Sequence, residues 1–265
     1  MLKELKKHCK VWRILASNEL QLTFINRWSN LLFLIGKIFR FGMMLLFLLI
    51  IKKQTREFAT YTTDQLIVFF LTFNLVDLIA QIFLRGVYVF REKVLYGKFD
   101  LYLSQPVNPL LRSLFAKPDI NDVIFLIPIS IISLLILSQL DVKISLVSTL
   151  GYFLLLINSF LIVLAFHILV LCLGVVTTEV DNAIMVYRDL TLFGRLPVDI
   201  YLKPIRDLLF SLIPIGIMIT VPAQVLMNLN TSRSLIASTL IGIGFFSFSL
   251  LAWKWSLKKY SSVGS

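Results

Sequence analysis

Long apolar runs separated by short charged segments set the pattern of this chain. Runs from Leu31 to Ile51, Leu66 to Phe90, Ile120 to Ser138, Leu146 to Val176 and Leu235 to Trp253 each reach the roughly 20 residues that a helix needs to cross a hydrocarbon core. A further hydrophobic region, Ala183 to Met227, is interrupted by Arg188, Asp189, Arg195 and four prolines, Pro197, Pro204, Pro214 and Pro222. Within lipid, a lone span satisfies its backbone hydrogen bonds only as a helix. The pattern therefore predicts a polytopic, largely helical membrane protein.

Ahead of the first run, residues 1–28 show a different period. Leu2, Leu5, Cys9, Trp12 and Ala16 recur at spacings of three and four, with Lys3, Lys6, Lys7, Lys10 and Arg13 on the other faces. This predicts an amphipathic helix in the membrane interface, lysines towards headgroups and Trp12 shallowly buried. No uninterrupted apolar stretch or small-residue cleavage site marks these residues as a signal peptide.

Composition agrees. Hydrophobic residues make up 58% of the 265 and charged residues 15%, against about a quarter charged in a soluble domain. The net charge of +11 does not point to nucleic acid, because the cations flank the apolar runs; membrane lipids with anionic headgroups are the matching partner. The two cysteines, Cys9 and Cys172, sit in the amphipathic segment and in a span, and with His8 and His167 they form no metal-ligand spacing. No bound cofactor or metal is expected of this chain.

Charge asymmetry orients the spans. With a cytosolic N-terminus, sixteen Lys/Arg fall inside (residues 1–28, Arg85 to Lys117, Arg188 and the C-terminus) and eight outside: Lys52, Lys53, Arg56, Lys143, Arg195, Lys203, Arg206 and Arg233. The bias follows the positive-inside rule and leaves both termini cytosolic. Two arrangements of the interrupted region satisfy it. In one, a short fifth helix over about Asp181 to Arg195 is followed by a proline-broken element dipping back from the outer side. In the other, Leu208 to Met227 is a full span, residues 195–206 move inside and the count becomes nineteen against five. Periodicity leaves both open.

Catalytic constellations are absent. A phosphate-binding loop needs Gly-Lys followed by a hydroxyl residue, and the only Gly-Lys pairs are followed by Ile38 and Phe99. The chain is not expected to be an enzyme or to hydrolyse ATP.

Lys37, Arg40 and Asp77 are charged residues well inside the spans. Arg40 lies nine residues beyond Leu31 and Asp77 nine residues before Gly86, so each is about 13 Å from the cytosolic edge at 1.5 Å per residue. An Arg40–Asp77 ion pair is the economical expectation, with Lys37 reaching back to headgroups. The functional alternative puts Lys37, Arg40 and Asp77 on a path for an anionic group.

The segment REKVLYGKFDLYLSQPVNPLLRSLFAKPD, residues 91–119, is too charged for lipid and too patterned for a slack tether. A solvated connector is one reading. A docking element is the other, with Val94, Leu95, Phe99, Tyr102 and Leu103 seated in a partner groove and Arg91, Lys93 and Lys98 at its rim; Pro106 and Pro109 would end its first helix.

Three segments in order carry a family resemblance. They are the run at Gly97, Asp100, Leu103 and Pro106; the stretch GRLPVDIYLKPIRDLLFSLIPIGIMITVPAQVL; and the tail WKWSLKKYSS with Tyr260, Ser261 and Ser262. Together they resemble the ABC-2 type permeases of bacterial ABC exporters. The resemblance implies an all-α membrane protein of six transmembrane helices, with 1–28 the interfacial N-terminal helix and 29–260 a single transmembrane domain. Within it, 91–119 would be the cytosolic coupling loop and 197–227 a re-entrant region between spans five and six. It further implies a permease subunit in a bacterial cytoplasmic membrane, paired with an identical or related permease. A separate ABC ATPase subunit would bind ATP and Mg²⁺ and act through Arg91, Leu95, Gly97, Phe99, Asp100, Tyr102, Leu103 and Pro106. A membrane scaffold without transport is the alternative.

Overall fold

The computed structural model describes residues 2–55, 57, 58, 60–229 and 232–261. Arg56, one of the loop cations in the charge count, and Ser262 of the tail motif lie outside the described residues, as do the side chains of Leu2, Lys3 and Leu5. Apart from one two-residue hairpin, the regular structure among the described residues is helical.

The amphipathic segment forms α1 (Leu2–Ile25), and α2 (Arg27–Gln54) follows almost at once. Asn30 Nδ2 donates to the Thr23 carbonyl across the join. Helix α1 is not a free float: Trp12 lies 5.9 Å from Phe83, and the Lys7 ammonium donates to the Pro106 carbonyl. Helix α2 buries only Phe41, Leu45 and Leu48, one narrow stripe at spacings of four and three, and leaves most of its apolar surface outward.

A hairpin of β1 (Glu57–Phe58) and β2 (Tyr61–Thr62) leads into α3 (Thr63–Leu84). Thr62 and Gln65 close a capping box at its start, their side-chain oxygens accepting from two backbone N–H groups that the first turn leaves without partners. Asp64 pairs with Lys52 and accepts the Asp141 amide at 3.0 Å, tying two loops at this end together. Helix α3 continues through a 3₁₀ turn, Arg85–Val89, into α4 (Phe90–Leu95). Helices α5 (Lys98–Ser104) and α6 (Pro109–Leu114) complete this connecting region before α7 (Ile120–Leu137). Asp119 caps α7 by accepting the Asn121 and Asp122 amides at 2.9 and 3.3 Å.

The centre of the molecule is the packing of α8 (Leu146–Thr177) against α12 (Ser232–Lys259) and α3. Small residues make the α8–α12 approach possible: a Cβ on Gly242 would come within 2.0 Å of Asn158 Oδ1, while Asn158 Nδ2 donates to the Ser238 carbonyl at 3.0 Å. His167 is buried in α8, bonded to the Val163 carbonyl of its own helix at 2.8 Å.

Among the described residues five helices are long and apolar enough to cross a membrane: Arg27–Gln54, Thr63–Leu95, Ile120–Leu137, Leu146–Thr177 and Arg233–Lys259. The interrupted region obeys its prolines. Helix α9 (Val180–Thr191) and a 3₁₀ turn to Arg195 match the short helix expected over about Asp181 to Arg195. At twelve residues α9 is about 18 Å long. Pro204 stands in the first turn of α10 (Lys203–Ser211) and Pro222 in that of α11 (Val221–Leu226), where a missing N–H costs nothing. Pro214 lies in the break between α10 and a π turn, Gly216–Thr220, and the pair of helical pieces bends by 77° there. Residues 208–227 are thus broken at Pro214 and do not form one continuous helix.

Both ends of this bent segment meet at one place. The Tyr61 hydroxyl donates to Asp199 Oδ2 at 2.8 Å, and Gln224 Nε2 donates to the same oxygen at 2.6 Å and to the Tyr61 oxygen at 2.8 Å. Burial, then the bond to Asp199, raises the Tyr61 pKa and keeps the phenol protonated. Between these ends the chain reaches inward to Ser159 of α8, whose hydroxyl donates to the Met218 carbonyl at 2.6 Å. That bond satisfies a backbone group that the irregular turn exposes.

Candidate functional site

The α4–α6 region owes its shape to three local devices. Gly97 sits at φ +65 between α4 and α5, a left-handed conformation that costs little only without a Cβ. Asn108 caps α6, accepting the Leu110 and Leu111 amides at 3.0 and 3.3 Å, with Pro109 behind it. Gly86 lets the end of α6 lie on the α3 extension, since a Cβ there would come within 2.3 Å of the Ser113 carbonyl.

Phe99 is the hub of this region. Its ring meets Phe90 at 5.1 Å, Tyr102 at 6.4 Å, Trp253 at 6.2 Å and Tyr260 at 5.1 Å, all edge-on, the arrangement that ring quadrupoles favour. The Tyr260 hydroxyl donates to Asp100 Oδ1 at 2.9 Å. Burial, reinforced by that carboxylate, pushes the Tyr260 pKa up to about 12. Two of the sequence segments that carry the resemblance, the Gly97–Pro106 run and the tail, therefore close on each other. Arg91 reaches Asp181 at the start of α9 at 3.2 Å.

This geometry corrects one expectation. Phe99 and Val94 are fully buried and do not face outward to seat in a partner groove; they bind the region to the body of the chain. The outward side chains are Arg91, Leu95, Lys98, Leu103 and Pro106, joined by Tyr96 and Leu101, exposed by 73% and 58%. Tyr102 is half-buried and carries Arg112 over its ring at 5.2 Å. Sequence reasoning passed over Tyr96 and Leu101. The signal was present: Phe90 with Val94 and Phe99 with Tyr102 repeat at four and three, which turns Leu101 to the opposite face.

The charges within the spans come together, but in other pairs than expected. Lys37 forms an ion pair with the fully buried Asp122 at the start of α7, and Arg85 pairs with Asp119 beside it. Among the described residues no ion pair joins Arg40 to Asp77. Arg40 and Asp77 act on each other electrostatically without a direct ion pair, and the direct bonds run from Lys37 and Arg85 to Asp122 and Asp119. Helix α7 starts at the same level as these cations and offers two carboxylates at a helix N-terminus, a position that favours negative charge. Arg40, Asp77, Lys37, Arg85 and Arg188 line one cavity of about 410 Å³.

A model of an ABC-2 family transporter protein matches residues 38–264. No curated protein and no solved structure matches the chain. The family match runs from within α2 through the Phe99 hub, the bent segment and the tail. This chain is a multi-pass membrane protein that belongs to the ABC-2 family of transporters.

Proposed function

We propose that the chain is the permease subunit of an ATP-driven exporter in a bacterial cytoplasmic membrane. It forms half of a translocation path, a second permease chain, identical or related, forms the other half, and a separate ATPase docks on the α4–α6 region. Both termini and residues 91–119 then lie in the cytosol. Residues 197–227 enter and leave the membrane from the outer side between spans five and six, with α9 and its 3₁₀ extension as the short span five. ATP and Mg²⁺ belong to the partner.

The observation that carries this reading is the Phe99 hub. A partner that moves its cytosolic loop works a permease only if the loop is stiffly joined to the spans. Phe99 clamps α5 to α4 and α12, Tyr260 and Asp100 lock the tail to the loop, and α4 continues α3 through the 3₁₀ turn. The outer face keeps Leu95, Tyr96, Leu101 and Leu103 exposed, an apolar set with basic neighbours suited to a groove.

The test is affinity purification in mild detergent with mass spectrometry of what co-purifies. A P-loop ATPase is expected with the native chain and is lost with Leu101→Asp and Tyr96→Ala, which alter only exposed positions. Phe99→Ala serves as contrast, because it removes a buried ring at a cost of about 3–5 kcal/mol and lowers the yield of folded chain itself. Recovery of the chain without any ATPase, under conditions that keep other ABC complexes whole, would reject the exporter reading and favour a scaffold.

A further inference from the structure

Guanidinium groups are concentrated on one groove of this molecule. The cavity between α2, α3 and α9 is lined by Lys37 and Arg40 from α2, Asp77 from α3, Arg85 from the following turn and Arg188 from α9. Arg195 lies within electrostatic reach of Arg40 and Asp77 and sits over the Phe73 ring at 5.5 Å. Lys37 and Arg85 already have carboxylate partners, Asp122 and Asp119. Among the described residues Arg40, Arg188 and Arg195 have no ion-pair partner, and Asp77 is the one carboxylate lining the cavity. Within the cavity two unpaired guanidinium groups, Arg40 and Arg188, therefore share one carboxylate, Asp77, with Arg195 adding a third positive charge nearby.

A membrane chain that places more cations than carboxylates at such depth leaves the excess to be balanced from outside the fold. Guanidinium offers a planar fork of N–H donors that matches the paired oxygens of a phosphate. The wall of the groove gives the other half of the ligand. Leu32 and Phe33, exposed by 70% and 41%, form its lip on α2, whose outward face remains apolar along its length. A Cβ added to Gly36, also in the wall, would meet nothing within 4 Å. The groove thus opens sideways, with cations inside and hydrocarbon-compatible surface outside.

We infer that this groove binds an amphiphile with an anionic, phosphate-type headgroup, its chain lying along α2. Calling that amphiphile cargo rests on the permease reading; the binding does not. Asp77 opposes the ligand, so its removal strengthens binding while removal of the arginines weakens it. Damage to the fold does not produce these opposite signs.

Native mass spectrometry of the purified chain tests this with phosphatidylglycerol and phosphatidylcholine as probes. Phosphatidylglycerol is expected to be retained in preference to phosphatidylcholine. Arg40→Gln with Arg188→Gln lowers its occupancy on the order of tenfold, and Asp77→Asn raises it. Equal retention of the two lipids, or no change in the variants, would overturn the inference. Displacement of the lipid by inorganic phosphate alone would overturn it in favour of a free anion, and so would a loss in the variants only of a dimer of this chain, because the missing counter-charge would then come from the second copy. Recovery of an ATPase is read on the same preparations. Lipid binding without an ATPase counts against the permease reading alone, and an ATPase without lipid binding against this inference alone.

Discussion

Tyr260 shows how much a single residue near the end of the chain is asked to do. Its ring closes the edge-on cluster around Phe99, and its hydroxyl holds Asp100. The folded pKa of about 12 lies above the ordinary value of about 10, so the neutral phenol is the form that the fold favours. The stabilisation is therefore fully present below pH 10 and is lost as the pH climbs through 12. Tyr260→Phe keeps the ring and removes both the bond and the titration. It is expected to cost about 1 kcal/mol at neutral pH and to flatten the alkaline limb of a detergent-solubilised thermal-unfolding profile between those values. An unchanged alkaline limb would separate Tyr260 from that loss. The neighbouring acidic partner was visible in the sequence as part of a spaced run, but its contact with a residue 160 positions away was not, because no local period links the two.

At the scale of elements, composition made the helices and small residues decided which of them touch. Helices α2 and α7 are strongly apolar yet bury only narrow stripes, whereas α8 is buried over more than half of its apolar stretch and meets α12 at Gly242, Asn158 and Ser238. Without a hydrophobic difference between side chain and lipid, association rests on close packing and interhelical hydrogen bonds. Gly242→Val is accordingly expected to separate this pair. It should lower the midpoint of thermal unfolding and the monodisperse fraction in gel filtration, with overpacking costing about 1–3 kcal/mol. Gly244→Val, two residues on, meets open space and should leave both unchanged. The bent segment obeys the same logic in reverse: its prolines forbid a continuous helix, and side chains from elsewhere, Ser159 and Tyr61, together with its own Thr220, bond the polar groups of the broken region.

Over the whole molecule, the side of the membrane on which residues 195–206 lie separates the two arrangements allowed by charge. In a chain with Cys9→Ser and Cys172→Ala, Lys203→Cys is expected to react with an impermeant maleimide added outside, and Lys258→Cys only after the membrane is opened. Protection of Lys203→Cys would restore the full span from Leu208 to Met227 and remove the re-entrant segment. Apolar run length and turn residues by themselves determined the helical membrane class, the positions of five helices long and apolar enough to cross a membrane, and the amphipathic start, and they narrowed the interrupted region to two arrangements. These are properties of neighbours in the chain meeting lipid or water, which is why they are legible without a fold. Only the tertiary structure decided that Phe99 faces inward, that Lys37 and Arg85 find Asp122 and Asp119, and that Asp199 and Gln224 meet at Tyr61. Each depends on which faces of distant helices are brought together, and a charge or ring in a span takes the best partner at its own depth, however far away in sequence that partner lies.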